Sequence, residues 1–325
     1  MIKVLRPGLL MTVQDLGRHG HQHVGLCPGG AMDPIAASLA NALVGNEPGE
    51  AALELTVLGP DLELERDTLV ALCGAEFEAN MPLNRPVLLE AGTRLAIGRA
   101  ARGARAYLAV AGGIAVEPVL GSRSTFLPGG FGGLGGRTLR RGDVLPLVQD
   151  SRDLSRERFG RLKRTSGNTV RWSAPPQTVP EHEPVVLHVL DGQHFPSFDV
   201  ASQRAFSDSV WKIGPESNRM GFRLEGPKLA RAEDDEILSG PTCLGTVQVP
   251  ANGTPIVLMA DHQTTGGYPK IAEIASADVA RLAQLGPGGT VHFARCTLDT
   301  AVELRRHILE RLETALRGIA WEYGN

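Results

Sequence analysis

Apolar residues along this chain fall in short runs: Thr68–Cys73, Val87–Leu89, Ala106–Val110, Val185–Leu190, Pro255–Met259 and Thr290–Phe293. Turn-forming residues bound them, as in the strands of a sandwich or barrel. Helical periodicity is rarer. Asp33-Pro34 opens one helix through Ala36, Leu39, Ala40 and Leu43, with Asp33 as N-cap and Pro34 at the first helical position. A second begins at Ser276-Ala277-Asp278, covers Val279–Leu285 and stops at Gly286-Pro287-Gly288-Gly289. A third runs over Val302–Leu316, with Leu304, Ile308, Leu312 and Leu316 spaced by four. The pattern predicts a mainly β (α+β) protein of two β-rich halves, with a few short helices and a C-terminal helix.

Between Val148 and Pro184 the apolar periodicity lapses while charge and proline rise, notably at Ala174-Pro175-Pro176. The expected organisation is an N-terminal β-rich domain over 1–148, a linker over 149–183 and a C-terminal barrel domain over 184–325. A length of 325 residues suits two domains. Net charge is −3, so no polyanion-binding signature is present and nucleic acid is not an expected partner. Basic residues cluster in Ser151–Arg171, where they read as a solvated linker. No apolar run approaches a membrane span and Met1–Pro7 lacks a signal-peptide core, so a cytoplasmic protein is expected. Cys27, Cys73, Cys243 and Cys296 are scattered without metal-site spacing and read as reduced thiols.

Candidate chemistry concentrates where the run Ile256–Ala260 ends. Asp261, His262, Gln263, Thr264, Thr265, Gly266, Gly267, Tyr268, Pro269 and Lys270 follow it directly. A turn needs the glycines and the proline, but not an acid, an imidazole, an amide and two hydroxyls in succession. Asn218 and Arg219 form a second polar cluster, in which the arginine fork suits a carboxylate or phosphate. A third runs from Thr12 to Arg18 and on to Pro28–Asp33. Its glycines and helix start make an anion-binding corner conceivable, but an N-capping Asp33 would already occupy the free N–H groups. Gly130–Gly135 matches GxGxxG without a surrounding βαβ unit, so it reads as a flap over a cleft and not as a dinucleotide site. His19, His21 and His23 alternate and would share one face of a strand, but they lack acidic or thiol partners, so no metal site is expected. No P-loop occurs.

Six separated motifs together carry a family resemblance: Val13–Arg18, Gly29–Asp33, Ala40–Asn46, Leu120–Ser124, Ser217–Gly221 and Gln263–Pro269. In order and nearly end to end, the chain resembles the allophanate hydrolase subunit 2 family, also called the biotin-dependent carboxyltransferase family. The resemblance implies a cyclophilin-like β-barrel architecture. It further implies a subunit of an ATP-dependent 5-oxoprolinase that hydrolyses 5-oxo-L-proline to L-glutamate with partner subunits A and B, using ATP and Mg in the assembled complex. One alternative is a carboxyltransferase component moving a carboxyl group from carboxybiotin to urea or another amide, the only reading that calls for biotin. Another is a non-catalytic regulatory subunit that binds a kinase-inhibitor-like partner. The chain shows no biotin-carrier Met-Lys-Met segment and no ATP-grasp region, which favours the oxoprolinase-type subunit.

Lactams and ureas are resonance-stabilised N–C=O groups, so a site for either should aim donors at the oxygen and place a proton-transfer group near nitrogen. Expected roles follow. His262 transfers protons and Asp261 orients or tunes it. Thr264, Thr265 and the Gly266 and Gly267 amides hold the oxygen, Gln263 reads the amide, and Tyr268 and Lys270 complete the catalytic set. Arg219 or Arg123 holds a carboxylate or phosphoryl group, with Arg18 and Asn218 as further binding residues. Arg18, Arg123, Asn218 and Arg219 are expected to share one site.

Overall fold

Two of the apolar runs, Thr68–Cys73 and Ala106–Val110, lie in the longest strands. Thr68–Ala79 and Arg94–Val110 pair antiparallel from Val70↔Val110 to Ala79↔Ile97 and reach well beyond the expected segments. The computed structural model describes residues 1–148, 151–175, 178–232 and 237–324. The chain divides into two units. The first comprises Met1–Arg18, Gly29–Val179 and Glu310–Asn325, and the second His19–Pro28 and Pro180–Leu309.

In the first unit ten strands form one sheet among the described residues. Its core holds Ile2, Val4, Leu53, Leu62, Leu72 and Leu108, all shut off from water. Helix α1, Pro34–Leu43, lies on the two long strands and buries Ile35, Leu39 and Leu43. Its start is as expected: Asp33 accepts the Ala36 N–H at 3.0 Å, and Pro34 is the first helical residue.

The stretch expected as a linker carries structure. Helix α2, Ser151–Arg161, falls inside it, and Thr169–Val170 pairs with Val87–Leu89. The helix escapes apolar periodicity because arginines hold it. Arg158 donates to the Val44 carbonyl at 2.9 Å and to Asn46 at 2.6 Å, closing the end of α1, while Arg156 pairs with Asp67. Positions 149–150 and 176–177, including Pro176 of the proline-rich turn, lie outside the described residues.

The second unit is a closed barrel of seven strands. In order around the wall they are Val185–Asp191, Lys270–Ile274, Thr246–Gln248, Ile256–Leu258, Gly221–Glu225, Val210–Ile213 and Thr290–Arg295. The first and last close the ring as a parallel pair, Val185↔Val291 through Val189↔Arg295. Short strands suffice because closure leaves no edge to protect. Inside sit Leu187, Trp211, Ile213, Phe222 and Phe293, none more than 1% exposed. Helix α3, Val200–Asp208, adds Phe206, which stacks on Phe293 with centroids 4.5 Å apart. Helix α4, Ser276–Ala283, matches its expected position. Helix α5, Leu298–Glu322, runs beyond the expected 302–316. Gln22–Val24 form a short 3-10 turn, and residues 19–21 are not a strand, so alternation does not place His19, His21 and His23 on one face.

Candidate functional site

The barrel wall shapes the polar loop. Ile256–Leu258 delivers Met259 and Ala260 to buried positions, and Asp261 and His262 follow at 2% and 3% exposure. Asp261 is committed: its two oxygens accept from Arg219 Nε and Nη2, both at 2.9 Å, and its N–H donates to the Arg219 carbonyl at 2.8 Å. This buried bidentate pair corrects one expected role: Arg219 spends its fork inside the protein and is not presented to a substrate carboxylate. Asp261 does not orient His262 through a hydrogen bond to its ring, and of its expected influence the charge effect on the imidazole is what the structure contains.

His262 is turned inward. Its Nδ1 lies 2.7 Å from the Met259 carbonyl, which fixes Nδ1 as the N–H donor and leaves Nε2 as an acceptor. Burial pushes its pKa below the usual value, outweighing the Met259 carbonyl and the Asp261 charge, which both pull it up. Nε2 is buried and has no hydrogen-bond partner. A neutral imidazole with an unoccupied lone pair is the state a proton acceptor needs.

Beyond His262 the chain returns to the surface. Gln263 and Tyr268 are exposed, and Thr264 is half-buried. Thr265–Gly266 pairs with Gly240–Pro241 as a separate two-stranded antiparallel ribbon. Thr242 fastens it, its N–H donating to the Thr264 carbonyl at 2.9 Å and its hydroxyl to the Gln263 carbonyl. Asn218 is exposed, and its Oδ1 accepts the Met220 N–H at 2.8 Å, a local turn bond that leaves the amide NH2 outward.

One feature of the wall is invisible to the apolar pattern. The strands Thr246–Gln248 and Lys270–Ile274 pair Thr246↔Glu273, Val247↔Ala272 and then Gln248↔Lys270, skipping Ile271. Strict alternation would point Lys270 and Glu273 to opposite faces, and the bulge brings both to one face. Thr246 donates to Glu273 at 2.7 Å, and Cys243 Sγ lies 3.3 Å from the same carboxylate. Lys270, 5% exposed, donates to the Pro241 carbonyl at 2.5 Å. Gln248, 1% exposed, accepts from Gln263 Nε2 at 3.1 Å. Beside this layer opens a cleft of about 570 Å³, lined by Phe198, Lys228, Arg231, Asn252, Tyr268 and Pro269 among others. Burial first, and then the charges of Lys270 and Arg231, lower the pKa of nearby His194.

Arg18 and Arg123 belong to the first unit and are described within it. Arg18, 1% exposed, donates to the Ser124 carbonyl at 2.5 Å and lies over Phe131, 4.9 Å from the ring centroid. Arg123 is half-buried, with Nε on the Val116 carbonyl at 3.1 Å and Nη1 3.8 Å from Glu50. Asp15 collects the Ser122 and Ser124 hydroxyls at 2.6 and 2.5 Å and the Arg123 and Gly17 N–H groups at 2.5 and 2.8 Å. The glycine-rich 129–136 segment folds tightly onto residues 123–125 and is not a flap. A Cβ at Gly132 would strike the Ser124 carbonyl, and one at Gly133 the Thr125 hydroxyl.

A closed barrel with a buried polar layer on its wall and a cleft beside it is a layout suited to a small polar ligand. The chain belongs to the family described as carboxyltransferase domain, subdomain A and B, whose model matches residues 24–295. It is 43% identical to the C subunit of 5-oxoprolinase from Escherichia coli, over the whole chain and 99% of that protein. It is 36% identical to the C subunit of 5-oxoprolinase from Haemophilus influenzae, over 94% of each. Among solved structures, the Kluyveromyces lactis urea carboxylase superposes with a TM-score of 0.86 at 31% identity, covering 97% of this chain and 29% of that one. Among the described residues, no helix is long and apolar enough to cross a membrane.

Proposed function

We propose that this chain is the C subunit of an ATP-dependent 5-oxoprolinase and acts with the A and B subunits to open 5-oxo-L-proline to L-glutamate. The observation that carries the reading is the 43% identity over the whole chain to a protein of that name, matched along nearly its full length. The second unit offers compatible chemistry. In the net reaction the lactam C–N bond breaks, a water oxygen adds to the carbonyl carbon and the nitrogen gains a proton. Donors from the 264–268 loop would steady the carbonyl oxygen, and the His262 Nε2 lone pair is a candidate proton acceptor. ATP would supply activation of the amide oxygen. The glycine-rich segment that matches a nucleotide pattern, Gly130–Gly135, is occupied in packing against Ser124 and Thr125.

Reconstitution of this chain with the A and B subunits should release glutamate from 5-oxoproline in an ATP-dependent way, and omitting this chain should abolish release. Silence of the complete mixture would sink the reading. A second reading, carboxyl transfer from biotin to an amide, is favoured by the family model and by the urea carboxylase likeness. It requires activity that avidin blocks.

A further inference from the structure

The β-bulge at Ile271 sets Gln248 and Lys270 opposite each other on the barrel wall, at the directly paired position where side chains lie closest. Both are buried, and both are donor-rich. Lys270 Nζ carries three N–H groups and has one hydrogen-bond acceptor, the Pro241 carbonyl. Gln248 gives its Oε1 to Gln263, while its Nε2 is buried without a partner. A buried amide nitrogen left unpaired is costly, and proteins keep such groups where something else completes them.

Over this pair lies the Gly240–Gly266 rung of the two-stranded ribbon, the two glycines being register partners. A Cβ at Gly266 would come within 2.5 Å of Gln248 Nε2, whereas one at Gly240 would sit in ordinary contact, 3.4 Å from Lys270 Nζ. Glycine at 266 therefore lets the ribbon backbone close directly onto the Gln248 amide. Among the described residues the two strands of this ribbon pair only with each other, and two side chains of the donor layer tie down its surroundings: Lys270 to Pro241 and Gln248 to Gln263. Gln248 Nε2 takes no part in that fastening and Lys270 Nζ spends one of its three N–H groups on it, so both keep donors for an incoming oxygen. The cleft lined by Tyr268 and Arg231 lies beside the Gln248–Lys270 pair, since their chain neighbours Val249 and Pro269 line it and are joined N–H to carbonyl at 2.9 Å.

We propose that Gln248 Nε2 and Lys270 Nζ form an oxygen-binding subsite beneath the ribbon of residues 240–241 and 265–266, which receives the carbonyl or carboxylate oxygen of an amide-bearing substrate when that ribbon lifts. The donor set is cationic and offers no acceptor at the vacant positions, so it selects an electron-rich oxygen over an N–H group. The substrate class rests on the oxoprolinase reading; the subsite itself rests on the unpartnered amide and the glycine rung.

The test compares Q248M and Q248E with the parent chain in the complex of all three subunits. Q248M retains shape and removes the orphan donor, so its melting temperature should stay within about 1 °C or rise. Its KM for 5-oxoproline should rise about 10- to 100-fold, and Q248E, which presents an oxygen to an oxygen, should lose more. Parent-like kinetics for Q248M would overturn the subsite. So would a fall in melting temperature and kcat at unchanged KM, which marks a purely structural glutamine. If the complex proves inactive on 5-oxoproline, binding of 5-oxoproline and of urea to the full chain decides the matter independently. Binding of either that Q248M weakens by the same factor supports the subsite though the oxoprolinase reading fails. Binding that Q248M leaves unchanged, or no binding of either probe, overturns it.

Discussion

Asp15 and Gln248 are both polar side chains shut away from water, one in each unit, and they are treated in opposite ways. Asp15 is saturated: two hydroxyls and two backbone N–H groups converge on its oxygens. Gln248 satisfies its oxygen and leaves its nitrogen without a partner, and the same holds for Nε2 of His262. A saturated buried carboxylate is a structural clasp, here tying the 15–17 turn to the 122–124 loop. Incomplete buried groups are a debt of stability that folding alone does not explain. The contrast separates motifs that the sequence presents alike, because the Asp15 and Gln263 segments both carry the family resemblance.

The largest effect should come from the buried pair in the second unit. Arg219→Met leaves the Asp261 charge uncompensated and should cost about 3–5 kcal/mol in chemical denaturation, whereas Arg219→Met combined with Asp261→Leu should recover much of that loss. Recovery would show that the pair is structural; its failure would return Arg219 to the list of ligand-binding groups. Asp15→Ala should come next, at about 3 kcal/mol, because it strands four donors at once.

A smaller effect concerns pH. The folded-state pKa of His262 is lowered, so the unfolded chain binds the extra proton more readily. Its contribution is therefore intact above the ordinary value of 6.5 and lost as pH falls below it. Melting temperatures measured between about pH 5 and pH 8 should decline on the acid side, less steeply in His262→Asn. An unchanged slope in that variant would remove His262 from the comparison. Smallest of all, Asn218→Ala at the exposed Met220 turn should change stability by no more than about 0.5 kcal/mol.

Apolar runs bounded by turn residues are enough to foretell the strands, the α1 cap and the strand that feeds the 261–270 loop. What escapes has specific causes. Helix α2 is held by Arg156 and Arg158 and not by an apolar stripe, so it resembles a charged linker. The Arg219–Asp261 pair joins residues 42 positions apart, and no local spacing records it. Thr246-Val247-Gln248 reads as ordinary strand alternation with its polar residues toward water, yet all three are buried and Gly266 of the two-stranded ribbon lies against Gln248. Lys270 is legible as chemistry, but its direction depends on a one-residue skip in register that the sequence does not mark. In each case a long-range contact overrides the local pattern.

The first unit recruits residues 310–325, and it uses them: the Tyr323 hydroxyl donates to the Leu43 carbonyl at 2.9 Å, and Glu322 pairs with Arg164. The barrel in turn closes only when residues 185–189 meet residues 291–295, about a hundred positions later. During synthesis the barrel therefore cannot close before residues 291–295 have left the ribosome, nor can the first unit finish before residues 310–325 have. Closing such wide loops is slow, and strand edges stay unpaired meanwhile. A partner that docks on the finished first unit must wait for residues 310–325, which makes translation of that segment the event that times its assembly.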